Sequence, residues 1–413
     1  MSDEKKHVIV VGAGASGLIA AGTAAGRGLQ VTLLERNEKV GRKLSLSGKG
    51  RCNLTNETDI DGLMANIPGN PKFLRSALYH FGPRETIAFF AAQGVPLKTE
   101  RGGRVFPESD DAEDVVRALA QFCHRNKVQV KTGITVRRLL ATDGHITGVM
   151  TDENAYLPAD AVILATGGAS YPGTGSKGDG YRMAAELGHT VLPIRPSLVP
   201  LETEEGWPAE AQGLSLRNVT LTAFSPEGKK LYSELGEMLL THFGVSGPLV
   251  LTASRHVGDK PGSRLEIDLK PGLDDAALDA RVLRDFAEFS RREYANALSE
   301  LLPRTLIPVI VHLSRIPPHT PVHQITREQR QTLVHLLKHL PLTVKKARSF
   351  AEAVVTVGGV STKEIDPRTM QSKLVPGLYF TGEVIDVDAY TGGFNLQIAW
   401  STGRLAGEQV LLS

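Results

Sequence analysis

Gly12, Gly14 and Gly17 are spaced as G-x-G-x-x-G, and the residues among them, Ala13, Ala15 and Ser16, are all small. That spacing suits the approach of a pyrophosphate to the backbone. Gly12 lets the chain leave a strand in a tight turn, Gly14 puts no Cβ in the way of a phosphate, and Gly17 lets a helix lie close to a sheet. The N–H groups that open such a helix carry partial positive charge and face the anion. Glu35 stands about twenty residues further on, where a carboxylate accepts hydrogen bonds from ribose hydroxyls. An acid at that place disfavours a 2′-phosphate, so the implied ligand is FAD or NAD rather than NADP.

Three glycines could also mark an ordinary turn, and the flanking sequence separates the two readings. An apolar run, His7-Val8-Ile9-Val10-Val11, leads into the glycines, and the small-residue run 18–25 follows them. A second apolar run, Gln30-Val31-Thr32-Leu33-Leu34, ends on Glu35. Strand, glycine turn, helix, strand and acid occur in the order a dinucleotide-binding βαβ unit requires. A dehydrogenase would continue into another helix. Here Gly41-Arg42-Lys43 and residues 47–56 form a long polar, glycine-rich loop, suited to running along an extended ligand with its backbone N–H groups. Cys52 lies in this loop between Arg51 and Asn53. Arg51 would lower the thiol pKa and supply a thiolate or acid beside the ligand; the alternative is a packed cysteine that shapes the loop.

Further along, residues 71–90 and 111–125 carry apolar residues at helical spacing, the latter holding Cys123 as a packing residue. Residues 95–106 read as strands, and 128–149 as hairpin strands around Asp143-Gly144. Residues 159–168 form an apolar strand that ends in Ala165-Thr166-Gly167-Gly168. A second glycine pattern, Gly173 to Gly178, lacks both a leading strand and a following acid-terminated strand, and reads as a loop and helix start. Residues 194–268 alternate in short runs and suggest antiparallel β structure. Residues 274–340 read as helical. The chain closes with an apolar run at 354–360, a strand at 377–383 and a helix at about 396–411.

The segment Gly41-Arg42-Lys43-Leu44-Ser45-Leu46-Ser47-Gly48-Lys49-Gly50-Arg51-Cys52-Asn53-Leu54-Thr55-Asn56, with residues 239–248 and 377–395, resembles the BaiN/RdsA-like family of FAD-dependent flavoproteins (YhiN/YtfP-type), nearer its BaiN-like branch. The resemblance covers essentially the whole chain. Lys49 stands where many relatives carry glycine. The resemblance implies an α/β fold: a two-dinucleotide-binding-type FAD (Rossmann-like) domain with an inserted small β-barrel-like domain and an inserted helical domain. The expected boundaries are 1–193 for the first part of the FAD domain, 194–273 for the β domain, 274–340 for the helices and 341–413 for the return. Together, fingerprint and resemblance assign the cofactor to Gly12, Gly14, Ala15, Ser16, Gly17, Glu35, Arg36, Arg42, Lys43, Ser47, Gly48, Gly50, Arg51, Asn53, Val136, Thr166, Gly167, Gly168, Gly382, Glu383, Gly392, Gly393, Phe394 and Asn395.

The 413-residue chain has 41% hydrophobic residues, a net charge of +2 and two cysteines. It is neither a polycation nor a disulfide scaffold, and a reducing cytoplasm fits. It shows no signal-peptide core and no apolar stretch that would cross a membrane. His335 and His339 have metal-ligand spacing, but nothing nearby in sequence completes a site, so no metal is expected. No catalytic triad or Walker loop is visible, which leaves the chemistry to the flavin.

The resemblance implies a reductase, fed transiently by NADH or NADPH, that adds hydride to an activated C=C bond. Family members are associated with steroid-like enones and with the C5–C6 bond of ribosomal RNA uridine. Candidate proton donors are Cys52, Tyr390 and His242; His242 reads equally as a structural histidine. RNA would dock through Arg304, Arg315, Arg327, Arg330, Lys338, Lys345, Lys346 and Arg348, a run with one acid, Glu328, between residues 302 and 350. A solvated face explains the same run. The remaining alternative is a non-enzymatic FAD-binding protein. A small-molecule substrate is the first expectation.

Overall fold

A computed structural model describes residues 6–412. The chain forms two compact units: one runs to Pro196 and resumes at Val354, and the other is Ser197–Ala353.

The first unit holds a five-stranded parallel sheet in the order Leu378–Phe380, Ala161–Leu164, His7–Val11, Gln30–Leu34, Gln129–Lys131. Its central strands are continuous apolar runs because both faces are covered. Residues Ser16 to Ala25 of the first helix, Ala15–Gly26, are all buried. This helix packs against the closing helix, Phe394–Gln409, through small residues: a Cβ on Gly403 would lie 2.4 Å from the Ser16 carbonyl oxygen, and one on Gly407 2.5 Å from that of Ala20. The small-residue run in the sequence is therefore a helix–helix contact at backbone distance.

One strand differs from expectation. Gln129–Lys131 is not part of a hairpin; it extends the parallel sheet beside Gln30–Leu34. The hairpin proper is Val136–Thr142 with His145–Thr151. Asp143 and Gly144 turn it with φ of 52° and 79°, the left-handed pair that matches strand twist.

The second unit is a closed six-stranded barrel: Leu201–Thr203, Gly244–Ser246, Lys230–Thr241, Ser215–Phe224, Arg264–Asp268 and Leu340–Ala347. The helices Asp275–Glu288, Ile307–Ser314 and Arg327–Lys338 lie in sequence between its last two strands. They share one core with the barrel, in which Leu221 and Ile267 join Val282 and Leu333. The sequence-drawn borders at 273/274 and 340/341 are thereby corrected. Leu340, Leu342 and Val344 alternate inward; Leu340 to Thr343 pair with Arg264–Ile267 and Val344 with Thr203, so residues 341–353 belong with the barrel and not with the dinucleotide-binding unit.

His189 is buried in the first unit. Ser372 Oγ accepts the N–H groups of Leu374 and Val375 at 3.0 and 2.8 Å, so its one proton goes to His189 Nε2, 2.8 Å away. The ring therefore carries its proton on Nδ1, facing the Ala184 carbonyl at 3.3 Å. Burial pushes its pKa below the ordinary 6.5, against smaller opposing contributions from Ala184 and Glu364. The unfolded chain thus binds this proton more readily than the folded one. Stability is fully present above pH 6.5 and falls as pH drops toward the depressed folded value. Denaturant titrations from pH 7.5 to 5 should show that loss in the wild type and a shallower one in His189→Gln.

Candidate functional site

The three fingerprint glycines have different reasons to be glycine. Gly12 has φ +102°, and a Cβ there would lie 2.6 Å from the Ala165 carbonyl oxygen. A Cβ on Gly17 would lie 1.9 Å from that of Gly12. A Cβ on Gly14 would meet nothing within 4 Å. Packing accounts for Gly12 and Gly17, whereas Gly14 leaves open surface at the helix start. No side chain caps that start, and its first turn, which includes Ala15 and Ser16, carries no acid.

Glu35 is 8% exposed. Its Oε2 accepts the Ala13 N–H at 2.8 Å, and Oε1 accepts Asn37 N–H and Nδ2 at 2.9 and 2.6 Å. It therefore ties down the glycine turn, and only its remaining lone pairs are available to a ribose. Arg36 is committed to Asp179 at 2.9 Å and to the Gly175 carbonyl at 3.2 Å. The second glycine pattern is a loop, as expected, and packs on the end of this strand. Arg42 reaches Asn37 Oδ1 at 3.2 Å. Val136 is buried at the start of the hairpin.

The loop from Ser47 to Asn56 is wound with left-handed residues: Gly48, Lys49, Gly50 and Cys52 have φ of 58°, 60°, 82° and 57°. Ser47 Oγ donates to the Leu44 carbonyl at 2.7 Å. Arg51 points away from Cys52. Its guanidinium pairs with Glu100 and, at 2.6 Å, with Asp110, and lies 4.2 Å from the centroid of the Phe106 ring. The bonds to Glu100 and Asp110 raise its pKa. The thiolate expectation for Cys52 is corrected accordingly. The side chain is fully buried, and burial pushes the thiol up to about 12 against a weaker effect from Ser47. Beside it, Asn53 Oδ1 is buried with no hydrogen-bond partner.

Residues 42 and 43, expected in the loop, begin a short helix, Arg42–Leu46, and this helix meets the end of the Ala165-Thr166-Gly167-Gly168 segment through a network the sequence did not signal. Glu383 accepts Lys43 Nζ at 2.7 Å, Ser170 Oγ at 2.9 Å and the Thr356 N–H at 2.8 Å. Lys43 Nζ also donates to Ser170 Oγ at 2.6 Å. Thr356 Oγ1 accepts the N–H groups of Ala169 and Ser170 at 2.8 and 3.1 Å. A Cβ on Gly168 would fall 2.5 Å from Thr356 Oγ1 and 2.7 Å from Glu383 Oε1. Burial works against the Glu383 charge, but Lys43 and the other donors outweigh it and hold the carboxyl below its ordinary range. Lys43 and Glu383, both expected at the cofactor, are first of all partners of each other. Thr166 Oγ1 and Thr381 Oγ1 are buried without partners.

Gly382 has φ +70°, and a Cβ there would press on Ser16. Gly392 and Gly393 have φ of 130° and 97° and open the closing helix at Phe394. Asn395 accepts the Ala389 N–H at 3.0 Å and donates to the carbonyls of Ala389 and Tyr390 at 2.7 and 3.2 Å. Tyr390 is thus held through its main chain, half-buried, just before this helix. Gln397 and Trp400 lock the loop from inside the same helix, by Thr55 Oγ1 to Gln397 at 2.6 Å and Trp400 Nε1 to the Leu54 carbonyl at 2.9 Å. His242 lies in the second unit, exposed at a turn between barrel strands, with its ring 5.0 Å from that of Phe243.

The basic run is partly neutralised within its own unit. Arg330 pairs with Asp279 at 2.6 Å, Lys338 with Asp268 at 2.6 Å, and Arg348 and Lys346 with Glu202 at 2.7 and 3.5 Å. Arg304, Arg315, Arg327 and Lys345 are exposed. His335 and His339 lie with ring centroids 4.8 Å apart. Among the described residues no three His, Cys, Asp or Glu side chains are grouped as metal ligands would be. Among the described residues no helix is long and apolar enough to cross a membrane.

Sheet order, glycine turn and terminal acid define a Rossmann-type dinucleotide-binding fold. The chain belongs to the HI0933-like family, whose Rossmann-domain pattern matches residues 6–409. It is 36% identical to the 3-dehydro-bile acid delta(4,6)-reductase of Clostridium scindens over 96% of this chain and 97% of that one. It is 33% and 32% identical to the ribosomal RNA dihydrouridine synthases of Haemophilus influenzae (95% of this chain, 96% of that one) and Escherichia coli (99% and 98%). In fold it resembles the 3-ketosteroid delta1-dehydrogenase of Sterolibacterium denitrificans, with a TM-score of 0.51 at 12% identity over 98% of each chain.

Two outcomes follow. Glu383→Gln leaves Lys43 without its counter-charge and should cost about 2 kcal/mol of stability. That difference should be present above the ordinary carboxyl value of 4.5 and fade as pH falls through the lowered folded value, as read by denaturant midpoints. Cys52 and Cys123 are both buried with thiols pushed up to about 12. The folded protein should therefore resist alkylation at pH 8, and Cys52→Ser should keep the wild-type turnover. Rapid labelling of Cys52 would contradict its burial.

Proposed function

We propose that this protein is an FAD-dependent reductase that adds hydride to an electron-poor C=C bond of a small molecule, with NADH or NADPH as transient donor. The observation that carries the reading is the open surface over Gly14, where no protein atom explains the glycine. The orphaned acceptors at Asn53, Thr166 and Thr381 support it, because buried polar atoms need a partner. So do the names of the relatives, which describe two reductions of conjugated C=C bonds.

In this reading the N–H groups at Ala15 and Ser16 hold the pyrophosphate and the Glu35 lone pairs accept from ribose. The loop at Ser47, Gly48, Gly50 and Asn53 lines the cofactor from one side, and backbone at Gly167, Gly168 and Gly382 lines it from the other. The Lys43–Glu383 pair fixes the distance between those walls. When bound, the flavin supplies the hydride. The closing helix, begun at Gly393, Phe394 and Asn395, presents its positive end to an electron-rich ring edge. In this reading Tyr390, whose carbonyl is held by Asn395 just before that helix, holds the proton that completes the reduction. Cys52, buried and protonated, shapes the loop.

The ion pairs at Arg330, Lys338, Lys346 and Arg348 weaken the positive field an RNA would need, which favours the small-molecule reading. Two measurements test it together. FAD-loaded protein, reduced anaerobically by NADH or NADPH, should be reoxidised by members of a panel of cyclic enones. Ribosomal RNA from the host should contain the same dihydrouridine with and without the gene. Loss of dihydrouridine on deletion would move the assignment to RNA, and a flavin that neither nicotinamide reduces would make the protein a non-enzymatic FAD binder.

A further inference from the structure

The helix Pro71–His80 has two unlike sides. Leu74, Ala77 and Leu78 are buried. Lys72, Arg75, Ser76 and Tyr79 recur at i, i+3, i+4 and i+7 and so share the other side. With Arg368, from a turn near the end of the chain, they line a shallow, open depression of about 590 Å³.

The charge of the depression is one-sided. No lining residue is an acid. Among the described residues, Lys72, Arg75 and Arg368 form no ion pair. Acids also lie close by. Glu408 is held by His80 and Arg404, and Asp366 accepts the Arg368 N–H at 2.8 Å within its own turn. Tyr79 is 58% exposed, and the Arg75 guanidinium lies 5.6 Å from its ring centroid.

Each feature narrows the ligand. Three unpaired cations grouped on one open face select an anion, and guanidinium forks match phosphate oxygens. An exposed aromatic face beside them selects a planar ring. A bare phosphate would leave Tyr79 unused, and an apolar ligand would leave the cations unpaired. The geometry points to a nucleotide site separate from the glycine turn: the phosphates lie among Lys72, Arg75 and Arg368, and the ring lies on Tyr79. This site does not depend on the reductase assignment, because it is read by binding and not by turnover. Its nucleotide has two sources, a free nucleoside phosphate or the phosphate-bearing end of a nicotinamide donor.

Calorimetric titration of FAD-loaded, full-length protein with ATP, with NADPH and with a short single-stranded RNA tests it. We expect ATP or NADPH to bind saturably, and the one that binds identifies the source. Arg75→Gln combined with Arg368→Gln should weaken that binding at least tenfold. Tyr79→Ala should weaken it several-fold, while Tyr79→Phe keeps it. Unchanged FAD content and melting temperature show that the variants are folded. The inference is overturned if neither nucleotide saturates at millimolar concentration, or if the double variant binds as the wild type does. It is equally overturned if only the RNA responds to the substitutions, which would make the depression part of a polyanion surface.

Discussion

One carboxylate holds three distant pieces of the first unit together. Glu383 receives Lys43 from the short helix Arg42–Leu46 that leads into the polar loop, Ser170 from the segment after a central strand, and the Thr356 backbone from the returning chain. The first of these contacts spans 340 residues of sequence. A partly buried carboxylate is costly unless its lone pairs are filled, and here each donor comes from a different element. The network therefore specifies an arrangement. If one donor moves, the charge is left short of partners, so the loop, the Ala165–Gly168 corner and the Gly382 turn are fixed together. Gly168 is glycine for the same reason, because a methyl group there would displace the oxygens of both Thr356 and Glu383.

What was legible in the sequence was local. The βαβ unit could be read because its strands, glycine spacing and acid all fall within about thirty residues. The barrel strands could be read from their alternation. Ser170 and Thr356 could not, since a hydrogen bond across 186 residues leaves no period in the chain. Leu340–Ala347 was misplaced for a related reason. It follows a helical stretch and precedes the return to the first unit, and only its pairing with Arg264–Asp268 reveals that it closes the barrel. The basic run misleads in the same way. Counted along the chain it has one acid, but Asp279, Asp268 and Glu202 reach it from elsewhere in the fold.

Lys49 of the polar loop sits at φ +60°, a left-handed conformation in which an L-residue is disfavoured by roughly 1 kcal/mol. Arg51 and Phe106 help to impose it. The stacked guanidinium, fastened to Glu100 and Asp110, anchors the loop between the left-handed residues Gly50 and Cys52. The same anchoring turns Arg51 away from Cys52, so the residue that sequence proximity cast as an activator of the thiol instead restrains the backbone around it.

The fingerprint glycines separate what the fold needs from what a ligand needs. Gly12 and Gly17 answer to the protein, since a side chain at either would collide with main-chain oxygen. Gly14 answers to nothing in the chain, and its absent side chain faces open space. A position with room for a methyl group in the free protein, yet carrying glycine at an uncapped helix start, fits the proposed approach of a pyrophosphate. Glu35 fits the same proposal from the opposite side: it spends part of its bonding capacity on Ala13 and Asn37 to set the turn and has lone pairs left over. The turn is built to one geometry before any ligand arrives, and preorganised backbone of this kind lowers the cost of holding a pyrophosphate.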